Sequence, residues 1–109
     1  MAASHITLAL EEAELTLLLG EDDVHDSVDN VDVVLVMGDG SRWSGTVISL
    51  RELELIMNRW SRTGENLAGQ YFICPDLIVV RNGGVDAIAD VFREILRTGG
   101  PMGILQRIE

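Results

Sequence analysis

The sequence predicts an α+β domain. Its core reads β-β-α-β-β-α: an antiparallel sheet of about four strands with two helices packed on one face. Three observations predict it. Runs rich in β-branched and aromatic residues fall in two pairs, 31–37 with 42–48 and 70–74 with 77–80, each broken by turn residues. A stretch with apolar residues at helical spacing follows each pair. Both stretches end in Arg-Thr-Gly, at 62–64 and 97–99. One domain is expected, with an acidic leader (1–30), a core (31–98) and a tail (99–109).

The first strand, 31–37, carries Val31, Val33, Leu35 and Met37 on one face and Val34 and Val36 on the other, as in a central strand. Asp39-Gly40 then signals a hairpin, because a type I′ turn needs positive φ at both central residues. With those two as the loop, Val36 opposes Trp43, and Val34, Val36, Trp43 and Val47 share a face. A longer loop changes that pairing. Ser49-Leu50-Arg51-Glu52 is a capping box that starts a helix. Leu50, Leu53, Ile56, Met57 and Trp60 form its stripe, and Gly64 suits its C-terminal left-handed position. Its far face holds Arg51, Arg59, Arg62 and Leu55. Leu55 reads as a lone exposed apolar side chain or as a partner contact.

Residues 65–69 are a short connection. Strands 70–74 and 77–80 flank Pro75-Asp76 as a hairpin or a tight corner. Cys74 lies in this strand pattern without a basic neighbour, so it reads as a small buried hydrophobe and not as a nucleophile. Residues 81–84 form a Gly-containing turn that lacks the spacing of a phosphate loop. The second helix, Val85–Thr98, buries Val85, Ile88, Ala89, Phe92, Ile95 and Leu96. Asp86 and Arg97 complement its dipole. The tail packs loosely or frays.

Residues 4–20 admit two readings. Ile6, Leu8 and Leu10 alternate, as do Leu15, Leu17 and Leu19, which suits a hairpin turning at Glu11-Glu12-Ala13. Leu8, Ala9, Glu11, Glu12, Ala13, Glu14 and Leu15 are also good helix formers, and Gly20 is a good stop. The balance favours a short extended start followed by a helix over about 10–19.

At 109 residues and 12.0 kDa, size scaling gives roughly 6,000 Å² of folded surface against about 17,000 Å² unfolded. That supports a core without disulfides or metal. No apolar run approaches the ~20 residues that span a bilayer, and no basic stretch precedes the first apolar one as in a signal peptide. A single cysteine makes no internal disulfide. Together these place the chain in the cytoplasm, away from the membrane.

The formal charge is −10, all basic residues are arginine, and the distribution is uneven. Residues 1–41 hold ten carboxylates and no arginine, whereas the rest holds eight of each sign. Such a chain disfavours nucleic acid, whose phosphates require Lys and Arg. It suits a basic protein partner, since a charged field speeds association and rejects wrong partners. The plain alternative is that acidity serves solubility alone. The densest acidic stretch, 21–30, supplies the candidate partner-binding residues Glu21, Asp22, Asp23, Asp26 and Asp29. These carboxylates and His25 could hold a hard cation. The loop lacks Gly at the sixth and Glu at the twelfth position of an EF-hand, so no metal is expected, nor any cofactor. Asp39, Glu65 and Asp76 lie near turns, but no nucleophile–base pair accompanies them, so the chain is not expected to be an enzyme.

Residues 31–80 also carry a motif set: Asp39, Gly40, Arg42 and Trp43; Ser49 and Leu50; Ile56, Met57, Arg59 and Trp60; Thr63, Gly64 and Glu65; Gly69, Tyr71 and Phe72; and Asp76. It resembles the pattern of a widespread group of small acidic bacterial α+β proteins. Their size, acidity and single-domain build resemble those of immunity proteins from polymorphic toxin systems, including contact-dependent inhibition. The resemblance implies an inhibitor that binds a basic toxin domain, such as a nuclease, and occludes its active site with acidic surface. The acidic leader is not part of the pattern. The alternative is a small regulatory or assembly module that acts as a homodimer, pairing sheet faces or edges.

Overall fold

A computed structural model of the protein describes residues 4–20 and 23–109. The strands are β1 (Ser4–Leu10), β2 (Ala13–Leu19), β3 (Asn30–Met37), β4 (Arg42–Ser49), β5 (Leu77–Val80) and β6 (Gln106–Arg107). The helices are α1 (Leu50–Thr63), α2 (Glu65–Gly69) and α3 (Val85–Thr98). The fold is α+β, and its sheet has six strands where four were expected. β1 to β4 form an antiparallel meander. β5 joins β4 in parallel, and β6 pairs antiparallel with the other end of β4.

Residues 4–20 are the hairpin and not the helix. Leu8 opposes Leu15 and Ile6 opposes Leu17 across β1–β2, and Leu15 and Leu17 meet Leu35 and Val33 of β3. Strict alternation lets every second side chain of this segment reach the core, and a helix over 10–19 would strand half of them in water. The leader is thus partly sheet.

The β3–β4 register also differs from the two-residue reading. Gly40 N–H donates to Met37 O at 2.9 Å and Met37 N–H to Ser41 O at 2.9 Å, closing a three-residue loop over 38–40. Only Gly40 has positive φ (87°) there, so the turn is type I followed by a glycine bulge. Leu35 therefore opposes Trp43. The core face carries Val31, Val33, Leu35, Trp43 and Val47, while Val34 and Val36 stay half-buried on the other face.

α3 covers the core face with Val85, Ile88 and Phe92, and Ile95 and Leu96 pack at its border. α1 begins at the expected residue, with Ser49 Oγ accepting from Glu52 N–H at 3.1 Å. The box is half made, since Ser49 N–H donates to Asp29 O at 2.8 Å and not to Glu52. The helix ends at left-handed Gly64. It contributes no buried residue, so only α3 fulfils the expectation of helices packed on the core. Residues 70–74 form no strand. Phe72 instead stacks on Trp60, with ring centroids 5.5 Å apart. The 65–69 connection is a left-handed turn, with Asn66, Leu67 and Ala68 at φ 50–56°. The tail is held: Pro101 and Leu105 are buried and β6 pairs with Trp43 and Ser44. Among the described residues, no helix is long and apolar enough to cross a membrane.

Candidate functional site

The predicted acidic loop connects β2 to β3. Glu21 and Asp22 lie outside the described residues; Asp23, Asp26 and Asp29 lie within them. The loop is fastened by main-chain bonds to two neighbouring elements. Val85 N–H donates to His25 O at 2.8 Å, Gly84 N–H to Val28 O at 2.6 Å, and Ser49 N–H to Asp29 O at 2.8 Å. Val28 is buried beneath it. The first turn of α3 and the end of β4 thus satisfy their free amides with loop carbonyls. Gly84 makes this approach feasible. Its φ is +96°, and a Cβ there would stand 2.6 Å from Asp26 O.

The three described carboxylates differ. Asp23 turns back and accepts from Gly20 N–H at 2.7 Å, a local turn role. Asp26 is exposed and Asp29 is half-buried. Asp26 and Asp29 line a cleft of about 280 Å³ that also receives Arg51, Arg81 and Asn82. Among the described residues no ion pair joins the two sets. The parallel arrangement of β4 and β5 explains the meeting. Both strands end at this edge, so the residues that follow them, Arg51 and Arg81, arrive beside the loop. The sequence shows Arg51 on the far face of α1, but its meeting with Arg81 beside the loop depends on the parallel crossover.

The other carboxylates of residues 1–41 are elsewhere. Glu11 and Glu12 form the β1–β2 turn and Asp39 the β3–β4 turn, at the opposite end of the meander. Strands of seven or eight residues separate the two ends by roughly 25 Å. A cleft of about 450 Å³ lies at that far end, between the Glu11-Glu12 turn and Arg93, Leu96 and Arg97 of α3. Arg93 is paired with Asp90 at 2.9 Å, and Arg97 with Glu94. Asp32 lies on the polar sheet face and accepts from Thr46 Oγ1 at 2.9 Å.

Asp39 already has a structural task. Its Oδ1 accepts from Ser41 Oγ at 2.6 Å and Ser41 N–H at 2.9 Å, and Ser41 Oγ accepts from Trp43 Nε1 at 3.0 Å. The Ser41 hydroxyl, then its amide, hold the Asp39 carboxyl below its ordinary value of 3.8. The Arg107 guanidinium lies over the Trp43 ring, 5.9 Å from its centroid. The Asp-Gly-x-Arg-Trp motif is therefore a turn anchor in this fold. Glu65 and Asp76 lie on the α2 segment and before β5, and among the described residues no group of three or more His, Cys, Asp or Glu side chains converges.

A further surface extends beyond Leu55, the member of it that the sequence marks. Leu55, Leu67, Tyr71 and Ile73 are exposed on the α1–α2 arm and the segment after it, with Leu67 at 75% and Ile73 at 77%. Leu55 is thus one of several exposed apolar side chains on this arm. The chain exposes 6828 Å², above the roughly 6,000 Å² expected for its mass, in keeping with an arm that buries none of its residues.

No protein-family model, no curated protein and no solved structure matches this chain.

Proposed function

We propose that the protein is a non-catalytic binding protein of the cytoplasm, which uses its acidic loop to meet a basic protein partner. An immunity protein that occludes the active site of a basic toxin domain, such as a nuclease, is the form of this function implied by the resemblance of its motifs. The observation that carries the reading is a charged loop held ready. Asp23 and Asp26 are exposed on a segment tied by main-chain bonds to Ser49, Gly84 and Val85. A loop ordered before the encounter loses little entropy on binding, and its field acts from a fixed position. Arg51 and Arg81 share the cleft with Asp26 and Asp29 and offset the acidic field there, so the field is least offset at Asp23, outside the cleft. The partner surface is therefore basic where it meets Asp23 and Asp26 and acidic where it meets the arginines.

The test is a pull-down from native lysate at low and moderate salt, with captured proteins identified by mass. A stoichiometric basic partner that weakens with salt supports the reading. Its association rate should fall several-fold when Asp23, Asp26 and Asp29 are changed together to Asn, with dissociation much less altered. Unchanged association removes the loop from the interface.

A further inference from the structure

The sheet has one long open margin. On one side it ends in β5 and β6, of four and two residues, which share the flank of β4. On the other it ends in β1, seven residues long and, among the described residues, paired only with β2. Edge strands are ordinarily protected by Lys, Pro, a bulge or an inward charge. β1, Ser-His-Ile-Thr-Leu-Ala-Leu, has none of these and contains no acidic residue in a chain of formal charge −10.

Which main-chain groups face outward follows from the hairpin. Leu10 opposes Ala13 across a two-residue turn, so the even-numbered residues of β1 bond to β2. The Thr7 and Thr16 hydroxyls, 3.0 Å apart, fit the closer spacing of a pair without main-chain bonds. His5, Thr7 and Ala9 therefore direct their N–H and C=O groups away from the sheet.

We propose that β1 pairs with β1 of a second copy of this chain, antiparallel, about a two-fold axis at Thr7. In this register Thr7 opposes the partner's Thr7, and His5 opposes the partner's Ala9, with two main-chain bonds at each such pair. On the core face, half-buried Ile6 and Leu8 meet the partner's Leu8 and Ile6, and the two cores become continuous. On the polar face, the Thr16–Thr7 row continues into its own copy. Charge selects both occupant and direction. A strand with no charged side chain offers nothing to choose a foreign acidic or basic strand, whereas its own copy, reversed, sets Thr7 against Thr7 and apolar Ile6 and Leu8 against Leu8 and Ile6. Antiparallel pairing sends the two Glu11-Glu12 turns to opposite ends, and parallel pairing would bring them together. One such edge falls below the roughly 1,200 Å² of a standard interface, so the dimer exchanges with monomer. Two chains of −10 repel, so salt strengthens the pairing. This is the opposite sign from a basic partner, and the inference stands independently of that reading.

The test combines sedimentation with cross-linking on the full chain. The mass should rise with concentration from 12.0 kDa toward 24.0 kDa, twice that value, and at lower concentration when salt is raised. In a Cys74→Ser background, Thr7→Cys should give a disulfide-linked dimer under mild oxidation and Ala9→Cys should not, because the partner's His5 faces Ala9. Thr7→Pro should keep the monomer's melting curve and abolish the dimer, since an outward N–H is not needed in the monomer. A mass of 12.0 kDa at every concentration and salt would overturn the proposal. So would equal cross-linking at both positions, or a Thr7→Pro chain that loses the β1–β2 hairpin.

Discussion

Ser41 links the β3–β4 turn to the core, and its removal gives a sharp test of the motif's structural role. Trp43 is 8% exposed and Ser41 6% exposed, and Trp43 Nε1 has Ser41 Oγ as its acceptor. Ser41→Ala leaves that indole N–H buried without a partner, a loss of about 1–3 kcal/mol. Asp39, which is exposed, turns to water and to the Ser41 amide and loses much less. Each kcal/mol lowers Tm by about 4–8 °C in a domain of this size class. Trp43→Phe removes the donor itself, at the expense of packing. In the double variant no donor remains to be orphaned, so its loss should fall short of the sum of the single losses by about 1–2 kcal/mol. Urea unfolding followed by far-UV circular dichroism measures all four chains. Additivity within about 0.5 kcal/mol would refute the coupling and return the motif to candidacy as a functional surface.

Other predictions follow from single observations. Phe92→Ala empties the centre of the core, where Phe92 is fully buried, and should lose about 3–5 kcal/mol in urea unfolding. Ser49→Ala removes the α1 cap and should cost about 1 kcal/mol by the same assay. Leu67→Gly should stabilise by up to about 1 kcal/mol, because exposed Leu67 is held at left-handed φ, and a lower Tm would contradict that geometry. Asp39 has a lowered folded pKa, so its contribution is present above its ordinary 3.8 and is lost as pH falls through the folded value. Asp39→Asn should flatten that acid limb of the stability profile.

Local rules carried the sequence a long way where local chemistry decides. Ser49 and Glu52 marked the start of α1, Gly64 its end, and α3 spans Val85–Thr98 as the apolar spacing required. The failures lie where partners distant in sequence decide. Glu11-Glu12-Ala13 favours helix by propensity, yet Leu15 and Leu17 find Leu35 and Val33 only as a strand. The β3–β4 register turned on Asp39, whose side chain seals the loop by accepting from Ser41 and leaves positive φ to Gly40 alone. Residues 70–74 have strand composition, but Phe72 finds Trp60 instead of a neighbouring strand. At the site, the charge of the 21–30 loop was legible from composition. Its attachment to Gly84 and Val85, and the arrival of Arg51 and Arg81, depend on a parallel β4–β5 pair that no short-range pattern encodes.

The central claim is that the acidic loop captures a basic protein. The most direct measurement is capture from native lysate by the wild-type chain and by the Asp23→Asn, Asp26→Asn, Asp29→Asn variant, at low and moderate salt. One stoichiometric basic partner is expected, weakened by salt and captured in smaller amount by the variant. No captured partner, or one bound equally by both chains at both salt levels, would contradict it.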